Sequence, residues 1–360
     1  MSARFKRTAV KATLIVCIVL WSVTVSAGPL DEIIAGAKKE GTVFFLGKSA
    51  FTSNSMKRLE KEIMEKFGVK LNVQFTPSGS MPKEVGKAIM ERKSGATPSQ
   101  DLETYGPQHV TTGMEADLFE KVNWRSLMPQ DVSPEVIVNL PPYGEVGLTY
   151  YNSQQGLMYN PKKISAAEVP RTLSALADPK WKGKVGLFNY TSSWATRAKT
   201  SGPDKVLATL GDIMRNGAIV GRYADLLNRY LIEEIWMAFT GNSYMKTAQD
   251  KGMPAEWQSV DYLDEESRPL MVRKGARHPN AAKLLAVYLA GPAGARFTLE
   301  EGGGGNSAYP GNYTYDIRQQ AKKQGLPAVS RENFMEFYRS REYNQLRKKI
   351  QLILDTGGKS

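Results

Sequence analysis

Residues 42–75 constrain the fold most. Thr42 to Leu46 reads TVFFL, apolar and β-rich between Gly41 and Gly47, which predicts a buried strand. A polar stretch from Lys48 to Ser55 follows. Met56, Leu59, Ile63 and Phe67 then recur at helical spacing, with Ser53 or Asn54 placed to cap and Gly68 to terminate. Val69, Leu71, Val73 and Phe75 alternate directly afterwards, as a second strand does. A strand, helix, strand unit predicts a parallel pair with a right-handed crossover, so the chain is expected to be α/β.

The pattern recurs downstream. Pro77 to Ser80 reads as a turn and Val85 to Arg92 as a helix, which Ser94 to Pro98 breaks before a short segment around Asp101-Leu102. Strand-rich sequence returns near Val146 and includes Leu157-Met158-Tyr159. Lys184 to Phe188 predicts another strand, Asn189 to Ser193 opens a helix, and Leu226, Leu227, Tyr230 and Leu231 mark a later one. Pro269 to Val272 is a short apolar strand, and His278-Pro279-Asn280 starts a helix with proline in its first turn. Gly302 to Gly305 reads as a mobile loop. No strand precedes it and no Gly-Lys-Ser/Thr follows, so it is not a nucleotide loop. A basic helix is expected from Glu332 to Leu354, with Phe334, Phe337, Leu346, Ile350 and Ile353 available for packing.

The N-terminus carries Arg4, Lys6, Arg7 and Lys11 without an acid, then an apolar run from Thr13 to Val25 ending in Val25-Ser26-Ala27. That order predicts a signal peptide over residues 1–27, cleaved after Ala27, because the run falls short of the ~20 residues of a spanning helix. Cys17, the only cysteine, lies inside that run rather than at a lipidation position and leaves with it, so no disulfide is expected. The remaining length suits two lobes better than one. Lys and Arg total 48 against 36 Asp and Glu. Because the positive residues are scattered and the chain is exported, nucleic acid is not an expected partner, and a preference for anionic solutes is the reading that survives.

Four segments resemble the bacterial extracellular solute-binding proteins, the family that includes the ferric-ion-binding periplasmic receptors. They are Ala37 to Gly41, Tyr159-Asn160-Pro161, Asp178 to Lys184, and Lys274 to Lys283. The resemblance implies a type II periplasmic-binding-protein fold, in which two α/β lobes, each an open sheet flanked by helices, close over one solute in the cleft between them. Residues 28–150 and 270–308 would form the first lobe, and 151–269 with 309–360 the second. It further implies a monomeric, non-enzymatic periplasmic receptor that delivers a small molecule or ion to an ABC permease in the inner membrane, with no cofactor.

Ligand contacts are expected in loops that join a strand to a helix start, where backbone N–H groups favour an anion. In the first lobe these are Ser49, Thr52, Ser53, Gly79 and Ser80; in the second, Thr191, Ser192 and Ser193. Iron receptors of the family present two adjacent tyrosines late in the second lobe, whereas Gly241 to Met245 holds only Tyr244, which is retained as a ligand-binding candidate. Tyr150-Tyr151 is an adjacent pair that β-strand packing explains. His109 reads as a loop histidine and His278 as a helix-boundary residue; no metal site is expected from two histidines so far apart. A ferric-ion receptor is the alternative within the fold. A secreted hydrolase is the alternative outside it, although no Gly-x-Ser-x-Gly elbow is present.

Overall fold

The computed structural model describes residues 28–358, so the expected signal peptide lies outside the described residues. The first unit forms as its periodicity predicts: α1 (Pro29–Glu40), β1 (Thr42–Gly47), α2 (Ser53–Phe67) and β2 (Asn72–Pro77). Thr52 caps α2 by accepting from the Ser55 amide, and Gly68 ends it in the left-handed conformation at φ 64°. Then come α3 (Met81–Ser94), β3 (Leu102–Thr104), α4 (Pro107–Glu115), α5 (Trp124–Leu127), β4 (Ile137–Leu140) and the long β5 (Gly144–Tyr159).

The next stretch is β6 (Val185–Phe188), α6 (Thr191–Ser201), α7 (Pro203–Arg215), β7 (Ile219–Gly221), α8 (Tyr223–Leu231), β8 (Met237–Gly241), α9 (Asn242–Asp250) and β9 (Glu256–Gln258). The chain then runs through β10 (Leu263–Val272), α10 (Pro279–Ala290), α11 (Pro292–Gly302), α12 (Tyr313–Lys323) and β11 (Ala328–Ser330) to α13 (Met335–Arg339) and α14 (Arg341–Thr356).

The main sheet order is β2-β1-β3-β10-β5-β8-β6-β7. The outer triplets, β2-β1-β3 and β8-β6-β7, are parallel, as βαβ crossovers require. Between them β5 and β10 run antiparallel, pairing Leu270 with Leu148 at one end and Asp264 with Gln155 at the other. These two strands pass from lobe to lobe. Of the two larger apolar cores, one gathers Val43, Phe45, Leu59, Tyr150 and Leu270 under α10, and the other gathers Leu157, Leu187, Trp194, Phe239 and Ile350. This is the two-lobed periplasmic-binding-protein architecture.

Two expectations need correction. Residues 332–354 do not form one helix: β11 pairs with β10, a 3-10 turn spans Arg331–Phe334, and α13 and α14 are separated at Ser340. Ser340 caps α14 by accepting from the Tyr343 amide, while Arg331 and Glu332 are buried against the crossing strands. Nor is the glycine run a loose loop. Gly305 accepts from the Asn152 amide at 2.9 Å, and a Cβ there would meet Thr314 Oγ1 at 2.2 Å, so this turn is packed onto β5 and glycine is what allows it.

Candidate functional site

Side chains alternate across a strand, so the residues of β5 and β10 that face the space between the lobes are spaced by two. Ser153 and Gln155 of β5, and Glu266 and Arg268 of β10, line one cleft of about 470 Å³. The register shifts between Arg268 and Pro269, an irregularity of the kind that re-aims a side chain beside a site. Met81, Pro82, Gly106, Gln108 and His109 close the cleft from the first lobe, and Tyr190, Ser192, Ser193 and Tyr223 from the second. Arg331 and Tyr338 enter from the C-terminal segment.

Arg331 organises the second-lobe side. Its Nε and Nη2 donate to the two carboxylate oxygens of Asp264 at 2.8 and 3.0 Å, its Nη1 donates to Ser193 Oγ at 3.0 Å, and its Nη2 also donates to Gln155 Oε1. Burial opposes its charge, but Asp264 and Glu266 outweigh that and hold its pKa above the usual arginine value. Gln155 Nε2 donates to Ser193 Oγ at 3.0 Å and to Tyr223 Oη at 2.7 Å. Ser193 Oγ thus accepts two hydrogen bonds and still has its own proton to donate.

Arg268 is less fully engaged. Nη2 pairs with Glu266, Nη1 has only the Met81 thioether at 3.5 Å, and Nε is buried with no partner among the described residues. A Cβ on Gly106 would meet Nη1 at 2.5 Å, which accounts for glycine at the cap of α4. Neither α4 nor α6 has a side-chain cap at its start, and both starts face the cleft, one from each lobe. The amides of Ser192 and Gln108 find no acceptor among the described residues. The charged groups balance, Arg268 with Glu266 and Arg331 with Asp264, so what the cleft offers a solute is unspent donors and helix-start amides rather than net charge.

His109 sits in the first turn of α4 and lines the cleft, rather than lying in a solvated loop; burial, with Arg268 nearby, lowers its pKa. His278 stands at the N-terminal boundary of α10 and pairs through Nδ1 with Asp101 at 2.8 Å.

Of the sequence candidates, the structure brings Ser192 and Ser193 to the cleft. Thr191 is turned away, its Oγ1 accepting from Arg347 Nε at 3.1 Å. Tyr244 packs behind Tyr223, ring centroids 5.3 Å apart, outside the lining. Ser49, Thr52 and Ser53 are exposed and do not line the cleft. Thr52 is engaged in capping α2, whose Ser55 Oγ donates to Glu301 of α11 at 2.7 Å. Gly79 and Ser80 do not line it either, because their amides donate to Glu84 Oε1 at 2.6 and 2.8 Å, so the chain's own carboxylate fills the start of α3. The floor residues Gln155, Glu266 and Arg268, with Arg331, were missed. The available signal was polar sequence, Asn152 to Gln155 and Asp264 to Arg268, in the middle of two otherwise apolar strands.

Two lobes, two crossing strands and a polar cleft between them define a solute-binding protein of the kind that serves ABC importers. The chain belongs to the bacterial extracellular solute-binding protein family, whose model matches residues 58–310. Its fold is similar to that of iron-bound HitA from Pseudomonas aeruginosa, at 17% identity over 86% of this chain and 99% of that one, TM-score 0.63. It is also similar to AfuA from Actinobacillus pleuropneumoniae with fructose-6-phosphate bound, at 18% identity over 88% and 99%, TM-score 0.62. A third similar structure is the spermidine/putrescine-binding PotD from Streptococcus pneumoniae, at 12% identity over 86% and 99%, TM-score 0.62. No curated protein matches the chain by sequence. No described helix is long and apolar enough to cross a membrane.

Proposed function

We propose that the protein is an extracytoplasmic, non-enzymatic receptor that captures a small organic anion in the cleft and presents the closed, liganded form to an ABC permease. The observation that carries the reading is Arg268, half-buried, with unspent donors between the starts of α4 and α6. A ligand that touches both helix starts gains contacts only when the lobes are together, so binding shifts the population toward the closed form. The hydroxyls at Ser192 and Ser193 add donors on the second-lobe side.

Native mass spectrometry of protein purified without added ligand identifies the solute class, and calorimetry measures its affinity. Arg268→Gln removes a charge-assisted hydrogen bond and is expected to cost roughly 1.5 to 3 kcal/mol, about ten- to a hundredfold in affinity. Wild-type affinity for the co-purified anion in Arg268→Gln, with unchanged compaction in small-angle scattering, would refute the assignment.

A further inference from the structure

Given an anion receptor, the cleft also says what carries the charge. About 470 Å³ lies in the range of about 300–1,000 Å³ typical of organic ligands and is too large to be filled by a bare inorganic ion. Among the described residues five large apolar side chains are exposed, and Tyr190, 39% exposed, is the one of them that lines this cleft. Its position is set from below. Trp194 stacks on Phe188 at 4.5 Å and 19°, and its Nε1 donates to the Phe188 carbonyl at 2.8 Å. Phe188 lies 6.0 Å from Tyr190 at 31°, and Tyr223 braces Tyr190 edge-on at 4.8 Å and 68°. Trp194 and Phe188 are buried, so the series of rings ends on an exposed member that stands at the start of α6, near Ser192.

The hydroxyls around this face have little acceptor capacity left. Ser193 accepts from Gln155 and Arg331, Tyr223 accepts from Gln155, and Thr196 donates to the Ser192 carbonyl at 3.0 Å, so Ser193 and Tyr223 offer a solute protons. A polyhydroxylated solute, whose own O–H groups need acceptors, would find few hydroxyls to accept them, whereas a flat apolar ring needs none and a carboxylate needs only donors. We infer that the cleft selects an aromatic acid, its ring against Tyr190 and its acidic group on Arg268 and the helix starts.

The test is calorimetric titration of the purified protein with benzoate, cyclohexanecarboxylate, acetate and inorganic phosphate. Benzoate is expected to bind tighter than the other three, by about two- to ten-fold over cyclohexanecarboxylate. Tyr190→Phe keeps that margin, Tyr190→Ala removes it, and Arg268→Gln weakens the carboxylates together. Equal binding of benzoate and cyclohexanecarboxylate, unaffected by Tyr190→Ala, overturns the aromatic inference, while sensitivity to Arg268→Gln in the same data leaves the anion reading standing. Sensitivity to Tyr190→Ala without sensitivity to Arg268→Gln overturns the acid and retains only a ring site. Binding of none of the four overturns both.

Discussion

Replacing Arg331 by methionine tests whether this side chain holds the cleft together. The guanidinium and Asp264 are 8% and 3% exposed and bonded through both carboxylate oxygens, so the substitution leaves a buried carboxylate without its counter-charge. Breaking such a pair costs about 3–5 kcal/mol. With an unfolding entropy of about 2.1 cal/mol/K per residue, a cooperative unit of roughly 330 residues loses about 0.7 kcal/mol of stability per kelvin near its midpoint. The melting temperature should therefore fall by about 4–7 °C. Adding Asp264→Leu replaces the pair by apolar groups and should recover part of the loss, leaving a deficit of about 2 kcal/mol from the unpaired Gln155 and Ser193 groups. Scanning calorimetry of the parent, the single and the double variant decides it. A single variant melting within about 1 °C of the parent, or a double variant melting below the single, refutes the reasoning.

Two further outcomes follow from the same geometry. Burial raises the pKa of Tyr244 and lifts those of Tyr150 and Tyr223 well above the usual tyrosine value, so the phenolate form a ferric ion prefers is opposed at each. Iron titration should give no intense visible charge-transfer band, and a band lost in Tyr190→Phe or Tyr223→Phe would reverse this. His109 has a lowered pKa, so its neutral form contributes stability fully above the ordinary histidine range near 6.5, and that contribution is lost as pH falls through the lowered value. A bound anion opposes the lowering, so affinity should rise from pH 7.5 to 5.5 with proton uptake. Titrations at the two values should be flat for His109→Gln.

The parts of the fold legible in sequence were those governed by local periodicity. The β1-α2-β2 unit needed only TVFFL, the helical spacing of Met56 to Phe67, and Gly68, although the cap proved to be Thr52 and the second strand began at Asn72. The cleft floor is set instead by a pairing across more than a hundred positions, Asp264 with Gln155 and Glu266 with Ser153, which no local pattern specifies. Thr191 to Ser193 were singled out as a strand-to-helix loop, yet facing is fixed residue by residue, so Thr191 turns to α14 while its neighbours turn inward. At the start of α3 a rule about anions and N–H groups met an intramolecular competitor, Glu84, already in place. Arg331 stood just ahead of the segment read as helix, Glu332 to Leu354, and only the tertiary pairing of β11 with β10 reveals its role.

The two cores have a consequence for the order of synthesis and folding. Glu40 accepts from the Asn280 and Ala281 amides, about 240 positions away, and α10 lies at the centre of the first core. The second core is completed by Ile350 and Leu354 of α14. Contacts this distant incur loop-closure entropy before they yield any packing, so the first half is not finished until α10 has been made, and the second not until α14 has. Native packing of the second half accordingly waits for α14, whichever half collapses first.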